Sequence, residues 1–326
     1  MRKLLLGYSV LVLVAFGVIL DGPAAGETNK MRVPRKPAWV SDEFFFVSRA
    51  GKIQDSIVLF RVTDSAPIQV AEYPVAKDVV CVSAPPGQTA FAVVAAPYSA
   101  RIGILDTRSR RISWLSARGS YPAIDPHGKC VAFLWGSAKG YDLFVWDRTR
   151  QRRREITHGF FVRYFRWSPA GDEIAFVSSG RRGDYSAHRF VGVSSADGRH
   201  SHYFPPDNRW KGVLGWSNDG EHLFFIAYDG GNANLVSKDK ETGEETTLMA
   251  GVQRSVPNEA GIRSIWRGSF LIFPASPSRV GRLDAKRHDI AYVDFGQDIT
   301  DWAPSPSGSL CAAITERGQV VVRAWK

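Results

Sequence analysis

From about residue 44 onward, the chain alternates short apolar runs with clusters of Gly, Pro, Asp, Ser and Asn. The runs favour β-branched and aromatic residues, and the dense turn residues exclude helical repeats, so the pattern predicts strands joined by tight turns. Three strands are read first, over 44–47, 56–62 and 68–73. One phrase then recurs: Ser or Asp, then Pro-x-Gly, two polar residues and a short apolar run. Asp125-Pro126-His127-Gly128 leads to Val131-Ala132-Phe133, and Ser168-Pro169-Ala170-Gly171 leads to Ile174-Ala175-Phe176. Ser217-Asn218-Asp219-Gly220 and Ser305-Pro306-Ser307-Gly308 repeat the phrase, and Ala84-Pro85-Pro86-Gly87 is a degenerate copy. Proline pre-sets φ at one corner and glycine accepts the positive φ on leaving, so each copy predicts a hairpin turn. A second hairpin follows each copy, as in 141–147 and 154–157, which gives four short strands per unit.

The spacing converts the repeat into an architecture. Successive turn glycines stand 41, 43 and 49 residues apart, and Gly220 to Gly308 spans 88, two steps of about 44. A unit without the proline signature is expected between them, at Ile265 to Phe273 around Gly268. Four strands per unit at this period predict an all-β fold, a β-propeller of four-stranded blades. Seven blades fit best, with six as the alternative. The last unit stops one strand short, near Val320 to Trp325, and residues near Val33–Trp39 are available to close the ring.

The segment Trp167-Ser168-Pro169-Ala170-Gly171-Asp172-Glu173-Ile174-Ala175-Phe176-Val177-Ser178 resembles the WD40-like PD40 repeat of TolB-like propellers. Looser matches extend the resemblance over most of residues 80–326. The resemblance implies a propeller, and it implies protein binding in the periplasm, since TolB-like propellers bind protein partners there. The motif is structural and recurs across unrelated functions, so it speaks to fold more than to activity. No Gly-x-Ser-x-Gly elbow occurs, which removes a related peptidase reading.

The N-terminus departs from the strand pattern. Met1-Arg2-Lys3 precedes an uncharged, mostly apolar run from Leu4 to Leu20, then Asp21-Gly22-Pro23 and the small residues Ala24-Ala25-Gly26. Residues 1–26 therefore read as a signal peptide or an N-terminal membrane anchor, 27–37 as a linker and 38–326 as the propeller. Export, periplasmic or extracellular, is the expected localisation. Three cysteines, Cys81, Cys130 and Cys311, cannot all pair within the chain and show no CxxC spacing, although a Cys81–Cys130 bridge stays open.

Composition adds charge. Hydrophobic residues make up 44% of the 326 and aromatics 12%, enough for a sizeable core, and the net charge of +10 favours anionic partners. The arginines are not spread evenly. Arg108, Arg110 and Arg111 occupy the outer-hairpin turn of one unit, and Arg148, Arg150, Arg152, Arg153 and Arg154 the equivalent turn of the next. Equivalent turns of neighbouring blades lie side by side, so these eight are expected to merge into one basic patch suited to carboxylate, sulfate or phosphate. The competing reading is a pair of solvated turns without a partner. The equivalent turn at Lys238 to Glu245 is mixed in charge, which keeps the patch local.

Other chemistry is sparse. His200-Ser201-His202 puts two imidazoles on one strand face, a weak metal candidate without an obvious third ligand. Asp142, Asp147, Asp184, Asp229 and Asp239 lie in or beside turns, where aspartate bonds its own backbone. Arg182-Gly183-Asp184 is read as a chance tripeptide. No catalytic residue, cofactor or metal is assigned. The reading is a non-catalytic exported propeller that binds or scaffolds a protein in the cell envelope. An anionic ligand or acidic glycan is an added option, nucleic acid is disfavoured by export, and an N-terminal tether is an option. The alternative is a propeller enzyme, a lyase or hydrolase, acting on an acidic polysaccharide.

Overall fold

Each copy of the Ser/Asp-Pro-x-Gly phrase joins the first two strands of a sheet, and its hydrogen bonds show why. The computed structural model describes residues 37–64, 66–96, 99–137, 140–181, 190–205, 207, 209–229, 232–251, 265–267, 269–287 and 289–325. In four copies the N–H groups of Asp125, Ser168, Ser217 and Ser305 donate to the carbonyls five residues on, at 2.9–3.0 Å. Their carbonyls accept from the turn glycines at 3.0–3.1 Å, and those glycines sit at φ of 72–77°. The side-chain oxygens of the same four residues accept from the N–H of Cys130, Glu173, His222 and Leu310. The sequence explains proline and glycine through φ; the leading Ser or Asp is there to satisfy a backbone donor inside a closed turn. Gly171 has a second reason to lack a side chain, since a Cβ there would stand 3.1 Å from Pro126 on the neighbouring blade.

The strands form seven antiparallel sheets, each a meander from the axis outward. Blade 1 comprises β1 (Ala38–Trp39), β2 (Phe44–Arg49), β3 (Asp55–Arg61) and β4 (Ile68–Val75), and blade 2 comprises β5 (Val80–Ser83), β6 (Phe91–Ala96), β7 (Arg101–Asp106) and β8 (Arg111–Arg118). Blade 3 holds β9 (Ser120–Ile124), β10 (Cys130–Ser137), β11 (Gly140–Asp147) and β12 (Arg152–Glu155), and blade 4 holds β13 (Phe160–Trp167), β14 (Glu173–Arg181), β15 (Phe190–Ser195) and β16 (Ser201–Tyr203). Blade 5 has β17 (Trp210–Trp216), β18 (His222–Asp229), β19 (Asn232–Asp239) and β20 (Glu245–Met249). Blade 6 has β21 (Ile265–Arg267), β22 (Phe270–Ser276), β23 (Arg279–Asp284) and β24 (Ile290–Asp294), and blade 7 has β25 (Ile299–Pro304), β26 (Leu310–Thr315) and β27 (Val320–Ala324). The first strand of each blade contacts the first strand of the next all round the ring, β25 meeting β1. The protein is a seven-bladed β-propeller, and the six-bladed alternative is excluded.

The core is divided among the blade interfaces. Among the described residues, seven apolar clusters each join two neighbouring blades, the seventh linking blade 7 back to blade 1. Buried phenylalanines repeat on the second strands: Phe46, Phe133, Phe176, Phe225 and Phe273 are all fully buried. Each contributes about 1.5–3 kcal/mol relative to an exposed ring. Phe176 stands opposite Gly192 on β15, where a Cβ would come within 2.5 Å of the ring, so the glycine makes room for the phenylalanine.

Of the residues read as available for ring closure, 33–36 lie outside the described residues and Ala38–Trp39 is the inner strand of blade 1. Blade 7 has three strands among the described residues. The seam is held by a device that recurs elsewhere in the ring: an inner-strand tryptophan donates its indole N–H to an inner-strand carbonyl of the preceding blade. Trp167 Nε1 donates to Ala123 O at 3.0 Å, Trp216 Nε1 to Arg166 O at 3.0 Å, and Trp39 Nε1 to Ala303 O at 2.9 Å, across the seam.

Residues 1–36, His188, Gly268, His288 and the Arg182-Gly183-Asp184 tripeptide lie outside the described residues, and with them the expected export segment. Among the described residues no helix is long and apolar enough to cross a membrane. Cys130 and Cys311 are free thiols, which removes a Cys81–Cys130 bridge. Burial pushes the Cys130 thiol up to about 11 and that of Cys311 higher still, so both behave as small apolar side chains.

Candidate functional site

Antiparallel order gives the propeller two chemically different faces. The turns from inner to second strand and from third to outer strand leave each blade at one edge, here termed the turn face. The connections from second to third strand, and from one blade to the next, leave at the other edge, the mouth face.

The eight arginines singled out from sequence lie on or beside the turn face, in the outer hairpins of blades 2 and 3. Aspartates head both turns. Asp106 Oδ1 accepts the N–H groups of Arg108 and Ser109 at 2.8 Å, and Asp147 Oδ1 accepts that of Arg150 at 2.9 Å. Hydrogen bonding from the Ser109 backbone holds the Asp106 carboxyl below the usual carboxylate range. At Asp147 burial alone would raise the pKa, but bonds from Arg150 and its charge outweigh it and the net direction is down. Asp147 also pairs with Arg150 at 2.9 Å and with Arg154 at 3.5 Å. Arg148 lies 3.9 Å over the Phe91 ring of blade 2 and bonds the Gly128 carbonyl. Arg153 lies over Trp135 at 4.2 Å. These four are therefore anchored. Arg108, Arg110, Arg111 and Arg152 are exposed and make no ion pair among the described residues. A cleft of about 270 Å³ separates the two turns, bounded by Trp114 and Leu115 of blade 2 and by Arg148 and Gln151 of blade 3. A larger groove, about 790 Å³, runs along the seam of blades 1 and 7 past Asp42, Arg61 and Arg323.

The other sequence candidates are dispersed. His200 is exposed in a turn, its N–H bonded to Ser195 Oγ, and the exposed His202 ring packs edge-on against Phe204 at 4.7 Å. Among the described residues no three His, Cys, Asp or Glu side chains converge as a metal site would require. His127 joins turns of neighbouring blades through Nε2 and the Ala170 carbonyl at 2.9 Å. Asp142 is buried, accepting the N–H of Phe160 and the Thr157 hydroxyl. On blade 5, Lys240 is tied to Glu173 at 3.1 Å, so this turn adds little free positive charge.

Two groupings escaped the sequence. At the interface of blades 4 and 5, Asp207 and Glu245 are shared among Arg209, Lys211 and Lys238. Desolvation lowers the pKa of the buried Lys211 ammonium, and its hydrogen bond to Asp207 opposes that shift. This network ties the blade-to-blade connection to blade 5.

The second grouping lies at the mouth face. Tyr121 and Tyr141 stand near the starts of β9 and β11, Phe161 and Arg163 in the first half of β13, and Tyr228 near the end of β18, all at the same edge of blades 3–5. Arg163 lies 4.0 Å over the Phe161 ring, which Tyr141 meets edge-on at 6.0 Å. Desolvation raises the pKa of Tyr121, and Tyr141 and Tyr164 add to it; desolvation likewise pushes Tyr228 up to about 12. Yet Tyr121 is 63% exposed. Its ring is thus open to solvent, with Tyr141 and Tyr164 close enough to act on its hydroxyl. Arg166, further along β13, shows the same combination: it is exposed, and desolvation lowers its pKa. Tyr121 and Tyr164 stand equally far before their turn glycines, Gly128 and Gly171, a signal that repeat alignment could have exposed.

No known family profile matches the chain, and no curated protein matches it in sequence. Solved structures do match. An oligogalacturonate lyase in complex with manganese is similar over 90% of this chain and 89% of its own, at 12% identity and a TM-score of 0.68. The Swd1 β-propeller domain of Myceliophteria thermophila is similar over 89% of this chain and 96% of its own, at 10% identity and a TM-score of 0.61. TolB from Acinetobacter baumannii covers 87% of this chain with 66% of its own length, at 13% identity and a TM-score of 0.51. At these identities the likeness is one of fold. The same propeller carries a named lyase and proteins of other names, so architecture alone assigns no activity.

Proposed function

We propose that this chain is an exported, TolB-like propeller of the PD40-repeat kind that binds a protein partner in the cell envelope through the arginine rim of blades 2 and 3. The observation that carries the reading is the division of labour among the eight arginines. Arg148, Arg150, Arg153 and Arg154 hold the turns in place, while Arg108, Arg110, Arg111 and Arg152 present charge to solvent. A rigid rim with free guanidinium groups suits an acidic protein surface, and long-range attraction speeds its capture. The fold shared with TolB and the leader-like residues 1–26 support the placement in the envelope.

The test is affinity capture from envelope extract with immobilised protein, comparing wild type with the combined variant Arg110→Glu, Arg111→Glu and Arg152→Glu. The expected result is a discrete partner held by wild type, retained by the matching lysine variant, lost on charge reversal and weakened by salt. Equal capture by the charge-reversed variant would remove the rim from the mechanism. Mass spectrometry of the N-terminus in fractionated cells checks export separately.

A further inference from the structure

The mouth face carries a second site, which does not rest on the rim reading. We propose that the mouth formed by blades 3–5, with Tyr121, Tyr141, Phe161 and Arg163 at its edge and Arg166 deeper along β13, binds an acidic saccharide, a short chain of uronic acid residues.

Convergence comes first. Four of the ten tyrosines, Tyr121, Tyr141, Tyr164 and Tyr228, come together from three successive blades, and Arg163 and Arg166 lie on the strand between them. Tyr164 is within electrostatic reach of Tyr121, Tyr228, Arg163 and Arg166. Pyranose rings present C–H faces that pack on aromatic rings, while their hydroxyls pair with phenol groups. A guanidinium adds the planar fork that fits a carboxylate. Arg166 is suited to that part. It makes no ion pair among the described residues, its side chain bonds only the Phe165 carbonyl there, at 2.9 Å, and Tyr164 is its electrostatic neighbour.

The backbone of Tyr121 is the second observation. Its φ is +52°, a left-handed conformation that a bulky aromatic residue rarely adopts, and the side chain is 63% exposed, so core packing does not repay the strain. Tyr121 lies where β9 shifts register against β10, between Ser120 and Ala123, and a bulge of this kind re-aims a side chain beside a binding site. The third observation is crowding at an accessible place: Arg163 lies 4.0 Å over Phe161, Tyr141 meets that ring edge-on, and desolvation acts on Tyr121, Arg163 and Arg166 beside them. Charge recognition is stronger at such a place than on an open surface. Acidic peptides and nucleotides share the charge but do not use an array of phenol hydroxyls around edge-to-face rings in the same way.

The test is calorimetric titration of the full chain with oligouronates of four residues from pectin and from alginate. Their methyl-esterified forms, a polyglutamate peptide and a dinucleotide serve as comparators. Binding of an acidic oligouronate, weakened about tenfold or more by esterification, by Arg166→Gln and by Tyr121→Gly, is expected, each loss matching one charge-assisted or stacking contact. The glycine also relieves the left-handed strain, so Tyr121→Gly is expected to melt at the same or a higher temperature while binding less. The rim variant Arg110→Glu is expected to bind the saccharide as wild type does. The proposal is overturned if no oligouronate binds, or if esterified and acidic forms bind alike. It is equally overturned if the peptide or dinucleotide binds more tightly, or if Tyr121→Gly melts lower with unchanged binding.

Discussion

Arg110 and Gln151 occupy left-handed backbone positions, with φ of 58° and 51°, in the outer turns of blades 2 and 3. The corresponding turn of blade 5 places Gly243 there, four residues after Asp239 as Arg110 and Gln151 are after Asp106 and Asp147, at φ of 72°. The two blades that carry the arginine rim thus forgo the residue that relaxes this turn. A branched-free but bulky side chain in this region costs about 1 kcal/mol, partly offset by the entropy a glycine would lose on folding. Gln151→Gly is therefore expected to stabilise the protein by about 0.5–1 kcal/mol in chemical denaturation. Arg110→Gly is expected to stabilise it similarly and to weaken capture of an acidic partner, because it also removes a rim charge. A destabilised Gln151→Gly would show that the left-handed turn is not strained.

At the scale of strands, the inner-strand tryptophans do the joining. Trp39, Trp167 and Trp216 each reach the carbonyl of the blade before, and Trp39 does so between the first and last blades. Trp39→Phe keeps most of the ring in its apolar cluster and deletes only the hydrogen bond, leaving the Ala303 carbonyl without its indole donor. A loss of about 1–2 kcal/mol is expected in thermal or denaturant unfolding. An unchanged midpoint would assign closure to apolar packing alone. Strand positions were legible in the sequence because each fold-bearing turn repeats its own chemistry, Asp or Ser with proline and glycine at fixed offsets. The role of Ala38–Trp39 was not, because two residues carry no periodicity and the tryptophan's partner lies 264 residues away. The mouth cluster was hidden for a related reason. Tyr121, Tyr141, Arg163 and Tyr228 each look like an ordinary strand residue, and only the stacking of blades brings them together. The arginine rim stood out because its charges are contiguous in sequence, but which of them are anchored depends on Phe91, Trp135 and Asp147 in space.

For the molecule as a whole, turn carboxylates couple stability to acid. Asp106, Asp147 and Asp239 each have a pKa held below the ordinary 3.8, and each heads an outer turn in the same phase after its blade glycine. A folded pKa below the unfolded one means that the stabilisation is fully present above the unfolded value and is lost as pH falls through the folded value. Melting temperature is expected to hold from neutral pH down to about pH 4 and to fall steeply below it. Asp147→Asn is expected to lower the plateau and shallow the fall. A decline that begins above pH 5 would point to groups other than these carboxylates. The two-faced meander has a consequence for how such a chain diversifies. The turn-face connections run to two to seven residues, whereas that from β20 to β21, at the opposite edge, runs to fifteen. Of the steps of 41, 43 and 49 residues, the longest contains the eight-residue connection from β14 to β15 at that same edge. One edge preserves the register of the ring while the other accepts insertions, so new specificities can be added at the mouth without renegotiating the fold.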